Sequence, residues 1–208
     1  FMFNLKFDPI KSFRKLFFPF YKSKDLKLIF QKLQDGFSDE TVVSRFVGGC
    51  VRKHLNGEKI DDIDVATILT VDQIKEKLKG SKFKVIDTGI KHGTVTVVSN
   101  RHKLEITTLR RDVKTDGRHA DVVFSTDWTE DSERRDFTIN AIYLNKKGKI
   151  FDPQLGVKDL NNNIVKFIGD PEKRIQEDYL RILRFVRFSL TYGHQPENTT
   201  MRSRMKTK

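Results

Sequence analysis

The chain has 208 residues, 37% of them hydrophobic, and a formal net charge of +12 from 40 Lys and Arg against 28 Asp and Glu. That length buries a real core in one ordinary domain, or in a small domain with part of a second, which excludes disorder throughout. A single cysteine, Cys50, excludes an intrachain disulfide and the usual zinc spacings, the short apolar runs exclude a membrane-spanning helix, and the cationic surplus favours a polyanionic partner such as nucleic acid.

The cysteine count fits a reducing, cytoplasmic setting. Residues 1–24 mix eight aromatics with six Lys or Arg and one Asp. That mixture is open to a membrane-surface or targeting reading. Pro9 and Pro19 would break a long amphipathic helix, however, and no uninterrupted apolar core with a small-residue cleavage site is present. The segment reads as a basic aromatic leader, mobile or loosely packed.

From Lys24 to Gly36, apolar residues at Leu26, Leu28, Ile29, Phe30 and Leu33 predict an amphipathic helix stopped by Gly36. Thr41–Val47 is rich in β-branched residues and runs into Gly48-Gly49, after which Val51–Leu55 resumes a helical pattern: strand, turn, short helix. Ile63–Leu69 predicts a strand, Val71–Leu78 a helix, and 82–86, 94–99 and 103–109 further strands. FTINAIYL (137–144) is ambiguous, and Pro153 and Gly156 break the stretch after it, so a boundary falls near residue 150. From Asp170 the chain reads as helical, with DPEKR as a capped start and YLRILRFVRFSL as an almost wholly apolar helix studded with arginine, buried on most sides. The remainder, 194–208, is polar, basic and without periodicity.

Asp61, Asp62 and Asp64 stand close behind the Gly-Gly turn. In a strand Asp62 and Asp64 share one face about 6.6 Å apart while Ile63 faces the core. Two such carboxylates either solvate a strand start or hold divalent metal for phosphoryl transfer. Gly48-Gly49 either meets a turn's need for positive φ or lets backbone N–H groups approach a phosphate, with Arg52 adding charge. Glu105 is either a third carboxylate for the same metal or an acid on the solvent face. Arg134, Arg135 and Asp136 form either a solvated corner or a site in which arginine holds triphosphate and Asp136 a ribose hydroxyl.

On one continuous helix, with Arg181 as zero, Asp178 falls at about +60°, Arg184 at about −60° and Arg187 at about −120°. Glu177 and Asp178 are too few to neutralise three arginines, so the stripe calls for an anionic ligand. An Asp beside an Arg matches the hydrogen-bonding edges of adenine and cytosine and opposes the carbonyls of guanine and uracil.

These motifs resemble a known family. GG-x-VR, DIDVAT, EITTLRRDVKTDGRHADVVF, ERRDFTINA, FDPxxGxxDL and RIQEDYLRILRFVRF stand in the order seen in class II CCA-adding tRNA nucleotidyltransferases and bacterial poly(A) polymerases, from Arg45 to Gly193. The resemblance implies an α+β fold: a nucleotidyltransferase head similar to the palm of DNA polymerase beta, with a mixed sheet and flanking helices, followed by a truncated helical neck. The division expected is leader 1–24, head 25–150, start of the neck 151–193 and basic tail 194–208.

The resemblance further implies Asp62 and Asp64 as catalytic Mg2+ ligands. Gly48, Gly49 and Arg52 would contact triphosphate, Arg135 and Asp136 phosphate and ribose, and Asp178 and Arg181 the base, with Arg184 and Arg187 supporting the nucleotide. The reaction implied is attack of an RNA 3′-hydroxyl on the α-phosphate of CTP or ATP at the tRNA 3′ end. Poly(A) tailing, or a catalytically silent RNA-binding remnant, are the alternatives. Three departures stand out. Lys53 occupies a position where the family usually has an acid, Leu155 one where many members have glycine, and the helical body expected after Gly193 is missing, which reads as a truncated, split or frameshifted frame.

Overall fold

The structure is a computed structural model, and it describes residues 19–89, 92–113 and 121–193. In chain order the elements are α1 (Lys24–Gln34), β1 (Ser44–Val47), α2 (Gly49–Leu55), β2 (Ile63–Thr67), α3 (Val71–Leu78), β3 (Lys84–Gly89), β4 (Thr94–Val98) and β5 (Lys103–Thr108). There follow β6 (Arg110–Val113), β7 (Asp121–Phe124), α4 (Trp128–Glu133), β8 (Tyr143–Leu144), β9 (Ile150–Phe151), α5 (Gly156–Asn161), α6 (Pro171–Glu177) and α7 (Leu180–Tyr192). The chain divides into two units, one of Phe1–Leu109 with Tyr143–Ile150 and one of Arg110–Ile142 with Phe151–Lys208.

The first unit is built on a mixed sheet of order β3-β4-β5-β2-β1-β8-β9. β2 runs antiparallel to β1 and parallel to β5, with Asp64 opposite Val47 on one side and Glu105 on the other. β5 alternates cleanly: Lys103 and Glu105 are exposed while Leu104, Ile106 and Thr108 are buried. That period of two places the acids on one face and the core on the other. α1 contributes Leu26, Ile29, Phe30 and Leu33 to the core, and α3 contributes Ile74 and Leu78.

α1 ends before Gly36, whose φ of +79° no other residue adopts as readily. β1 is shorter than the predicted strand because the Thr41 carbonyl accepts from Gln34 Nε2 at 2.8 Å instead of joining the ladder. Residues 1–18 of the leader lie outside the described residues. Those after them are seated: the Phe20 ring is 4.9 Å from that of Phe46, and both Phe20 and Tyr21 meet His54 edge-on.

The second unit is held by an aromatic core. Phe137 is 4.7 Å from Phe167 and 5.5 Å from Phe188, and Phe167 stacks on Phe185 at 5.5 Å. The ambiguous FTINAIYL resolves into an extended Phe137, a 3-10 turn at Thr138–Asn140 and the short β8. Asp127 caps α4 through Thr129 N and Glu130 N, and Asp170 caps α6 through Lys173 N, where a side-chain oxygen satisfies an otherwise unpaired N–H. Residues 194–208, the basic tail, lie outside the described residues.

Two expectations from the helix pattern are corrected. The helix is not continuous through Asp178, which is extended at φ −155° between α6 and α7. Its Oδ1 accepts from Leu180 N at 2.9 Å and its carbonyl from Arg181 N, so the aspartate starts a new helix instead of riding on the old one. Nor is α7 buried on most sides. Phe185, Phe188 and Tyr192 are buried, but Leu180, Leu183, Val186 and Leu190 are exposed, because the second unit covers only the aromatic stripe.

Candidate functional site

In the first unit, the β1–β2 pairing puts the turn after Val47 beside Asp64. Gly48 has φ +70° and ψ −132°, and a Cβ built on it would stand 3.4 Å from Asp64 Oδ2. Glycine is required there by conformation, and the acid stands at van der Waals distance from it. Gly49 opens α2, and the same construction puts its Cβ 3.9 Å from Arg52 Nη2, with Arg52 almost fully buried one turn along. The Gly-Gly turn thus joins a carboxylate to a guanidinium.

Asp62 and Asp64 line a cavity of about 320 Å³ together with Ile63, Lys103 and Glu105. The β2–β5 register explains the set: Asp64 is the cross-strand partner of Glu105, and Asp62 lies one step before the Ile63–Leu104 pair, level with Lys103. Among the described residues no three Asp, Glu, His or Cys side chains form a group able to hold a metal. Glu105 therefore lines the cavity without completing a three-carboxylate cluster. Two carboxylates are still a fit for Mg2+, which keeps several waters and is commonly held by one or two acids plus substrate phosphates.

Asp61 has a different part. It accepts from Lys53 Nζ at 3.1 Å and lies 3.6 Å from Lys59 Nζ, and the Lys53 bond, with its charge, holds the carboxyl below its ordinary value. Lys53, which departs from the family's usual acid, is thus matched by an acid of this chain. Cys50 is fully buried beneath the turn, its Sγ directed at the carbonyls of Val47 and Asp64, and burial pushes its thiol up to about 12.

In the second unit, Asp131 is the residue that sequence reasoning missed. Only 1% of its side chain is exposed; Oδ1 accepts from Arg134 Nη2 at 2.7 Å and Oδ2 from Arg135 Nη2 at 3.0 Å. The signal was present, since Asp131 precedes the two arginines by three and four residues, the spacing that makes helical neighbours. Asp136 is nearly buried. Its Oδ1 accepts from Phe137 N and Asn140 Nδ2, and its Oδ2 from Arg184 Nε at 2.8 Å and Nη2 at 2.6 Å.

Arg181 donates through Nη1 to Glu177 Oε2 at 2.7 Å and to the Arg174 carbonyl at 2.8 Å. Arg187 lies 4.8 Å over the Phe188 ring. The structure therefore places Arg135 with Asp131, brings Asp136, Asn140 and Arg184 into a second bonded group, places Arg181 with Glu177, and sets Asp178 at the start of α7. Internal acids take Arg181 and Arg184, but those acids are Glu177 and Asp136 instead of Asp178.

The chain matches the family described as the poly(A) polymerase head domain over residues 44–166. It is 48% identical over 176 residues to human CCA tRNA nucleotidyltransferase 1, mitochondrial, covering 80% of this chain and 40% of the relative. With the CCA-adding enzyme of Lactobacillus helveticus it shares 44% identity over 164 residues, 77% of this chain and 39% of the relative. Among solved structures, the Bacillus stearothermophilus CCA-adding enzyme in complex with CTP superposes with a TM-score of 0.68 at 38% identity, covering 81% of this chain and 39% of that one. The mixed sheet with flanking helices is thus the nucleotidyltransferase head fold, and the chain spans about 40% of the length of these relatives.

Proposed function

Because the chain belongs to the poly(A) polymerase head-domain family, we propose that it is a template-independent RNA nucleotidyltransferase that adds CMP and AMP from CTP and ATP to the 3′ end of tRNA. The observation that carries this reading is the cavity holding Asp62 and Asp64 beside a glycine turn whose first residue nearly touches Asp64. In its functional division, 25–150 is the head and 151–193 the start of a neck.

Asp62 and Asp64 would hold Mg2+, which when bound favours ionisation of an attacking hydroxyl and offsets charge on the leaving pyrophosphate. The chain's own residues do the rest. Gly48 and Gly49 leave room for phosphate against their backbone N–H groups, and Arg52 supplies fixed positive charge. Arg135 meets phosphate oxygens, and Asp136 accepts from a ribose hydroxyl in exchange for part of its present hydrogen bonding. Asp178 and Arg181 select adenine or cytosine by the donor and acceptor pattern of the base edge. Arg184 and Arg187 add charge beside the nucleotide.

The assay that tests this compares CTP-plus-ATP addition to tRNA lacking CCA with ATP-only tailing of generic RNA. Homopolymer tailing without use of CTP would replace this reading with poly(A) synthesis. A second reading, RNA binding without catalysis, is favoured by the net charge of +12. Salt-sensitive RNA binding with no incorporation at any Mg2+ concentration is its signature. Among the described residues no helix is long and apolar enough to cross a membrane. The compartment we propose is the cytoplasm, to be checked by fractionation because the human relative is named mitochondrial.

A further inference from the structure

Arg174, which the motif reading passed over, sits at the crossing of two segments of the second unit. Its Nη2 donates to the carbonyls of Arg134 at 2.5 Å and Arg135 at 2.8 Å, at the end of α4. Its Nη1 donates to Glu177 Oε2 at 2.8 Å. The same Glu177 oxygen accepts from Arg181 Nη1 at 2.7 Å, and Arg181 Nη1 also donates to the carbonyl of Arg174 itself. The Arg174 side chain is only 11% exposed and that of Arg181 14%.

We propose that Arg174 is a positioning residue for base selection: it ties the backbone of Arg134 and Arg135 to the Glu177 carboxylate, and through it fixes the guanidinium of Arg181. Two features support this. Guanidinium is a planar fork, so one residue can hold two carbonyls with one arm and a carboxylate with the other, which an ammonium cannot do in the same plane. And the helix break at Asp178 means that no continuous α-helix holds Arg181 in register with α6. The Asp136–Arg184 bond and the packing of Phe185 and Phe188 hold the backbone of α7, and the side-chain chain Arg174–Glu177–Arg181 adds the constraint on the Arg181 guanidinium itself. The inference rests on the proposed reading of Arg181 as a base contact.

The test uses the 208-residue chain with Mg2+ and a fluorescent ribose-labelled ATP, displaced in turn by ATP, CTP, GTP, UTP and inorganic tripolyphosphate. Wild type should be displaced by ATP and CTP at concentrations at least about tenfold below those for GTP and UTP, the size of one hydrogen bond to a charged group. In Arg174→Ala that preference should shrink by about tenfold, while displacement by tripolyphosphate, which has no base, stays as in wild type because Asp131 holds the Arg135 guanidinium independently of Arg174. Arg174→Lys should keep the charge and lose most of the preference. Unchanged tripolyphosphate displacement also shows that the variant is folded. An Arg174→Ala protein with wild-type preference overturns the inference, as does equal loss of nucleotide and tripolyphosphate binding in both variants. A wild type without any preference for ATP and CTP overturns instead the base-reading role of Arg181, and this inference with it.

Discussion

Gly48 lies against Asp64: a methyl group on that glycine would stand 3.4 Å from Oδ2, on a backbone at φ +70° and ψ −132°. An L-residue held there costs about 1–3 kcal/mol. Gly48→Ala should therefore lower stability by that amount in a denaturant melt. It should also weaken Mg2+-dependent nucleotide binding beyond what the lost stability explains, because the turn that changes conformation lies directly against Asp64. Binding that falls only in proportion to the unfolded fraction would separate the turn from the site.

Leu155 and Gly156 predict opposite outcomes. Leu155 is 63% exposed at φ +58°, where the family often has glycine, and the left-handed conformation costs a side chain about 1–2 kcal/mol. Leu155→Gly should raise stability by about 1 kcal/mol. A Cβ at Gly156 would fall 2.0 Å from the Thr138 carbonyl oxygen. Gly156→Ala should destabilise by about 1–3 kcal/mol or more as backbone is forced aside. Thermal melts of both variants check the pair.

The two faces of α7 differ in the same way. Phe188, 5% exposed in the aromatic core, should cost about 3–5 kcal/mol on truncation to alanine. Leu190 is 79% exposed, so Leu190→Lys should stay within about 0.5 kcal/mol of the parent. Equal losses from the two variants would mean that Leu190 is covered.

Much of this was legible in the sequence. α3 spans the predicted residues because Thr70 and Gln73 form a reciprocal cap, and the alternation of β5 announced which acids face outward. The family was also readable from ordered motifs, and residues 44–166 match it. What periodicity could not give was partner choice. A wheel drawn through Asp178 assumed an unbroken helix, while the aspartate's own hydrogen bond to Leu180 N ended it. Apolar count suggested burial all round α7, yet burial needs a neighbour on each side. And Arg174 stands out only once it is known that its charge points inward.

Cys50 gives a pH signature. Burial raises its thiol from 9.0 to about 12, so the folded chain keeps a proton that the unfolded chain gives up. Its contribution to stability is complete below about pH 9 and is lost as pH rises toward 12. Cys50→Ala should flatten the decline in stability between those limits, and the wild-type thiol should react with disulfide reagents at pH 8 only as fast as the chain unfolds. Rapid labelling of the folded protein would contradict the burial that the structure gives it.

The most direct test is incorporation of labelled CTP and ATP into tRNA ending before CCA, by the wild-type chain and by Asp64→Ala, each shown to be folded by its melt. Wild type should incorporate both nucleotides in a Mg2+-dependent way, and the variant neither. No incorporation by folded wild type, or equal incorporation by Asp64→Ala, would contradict the proposed function.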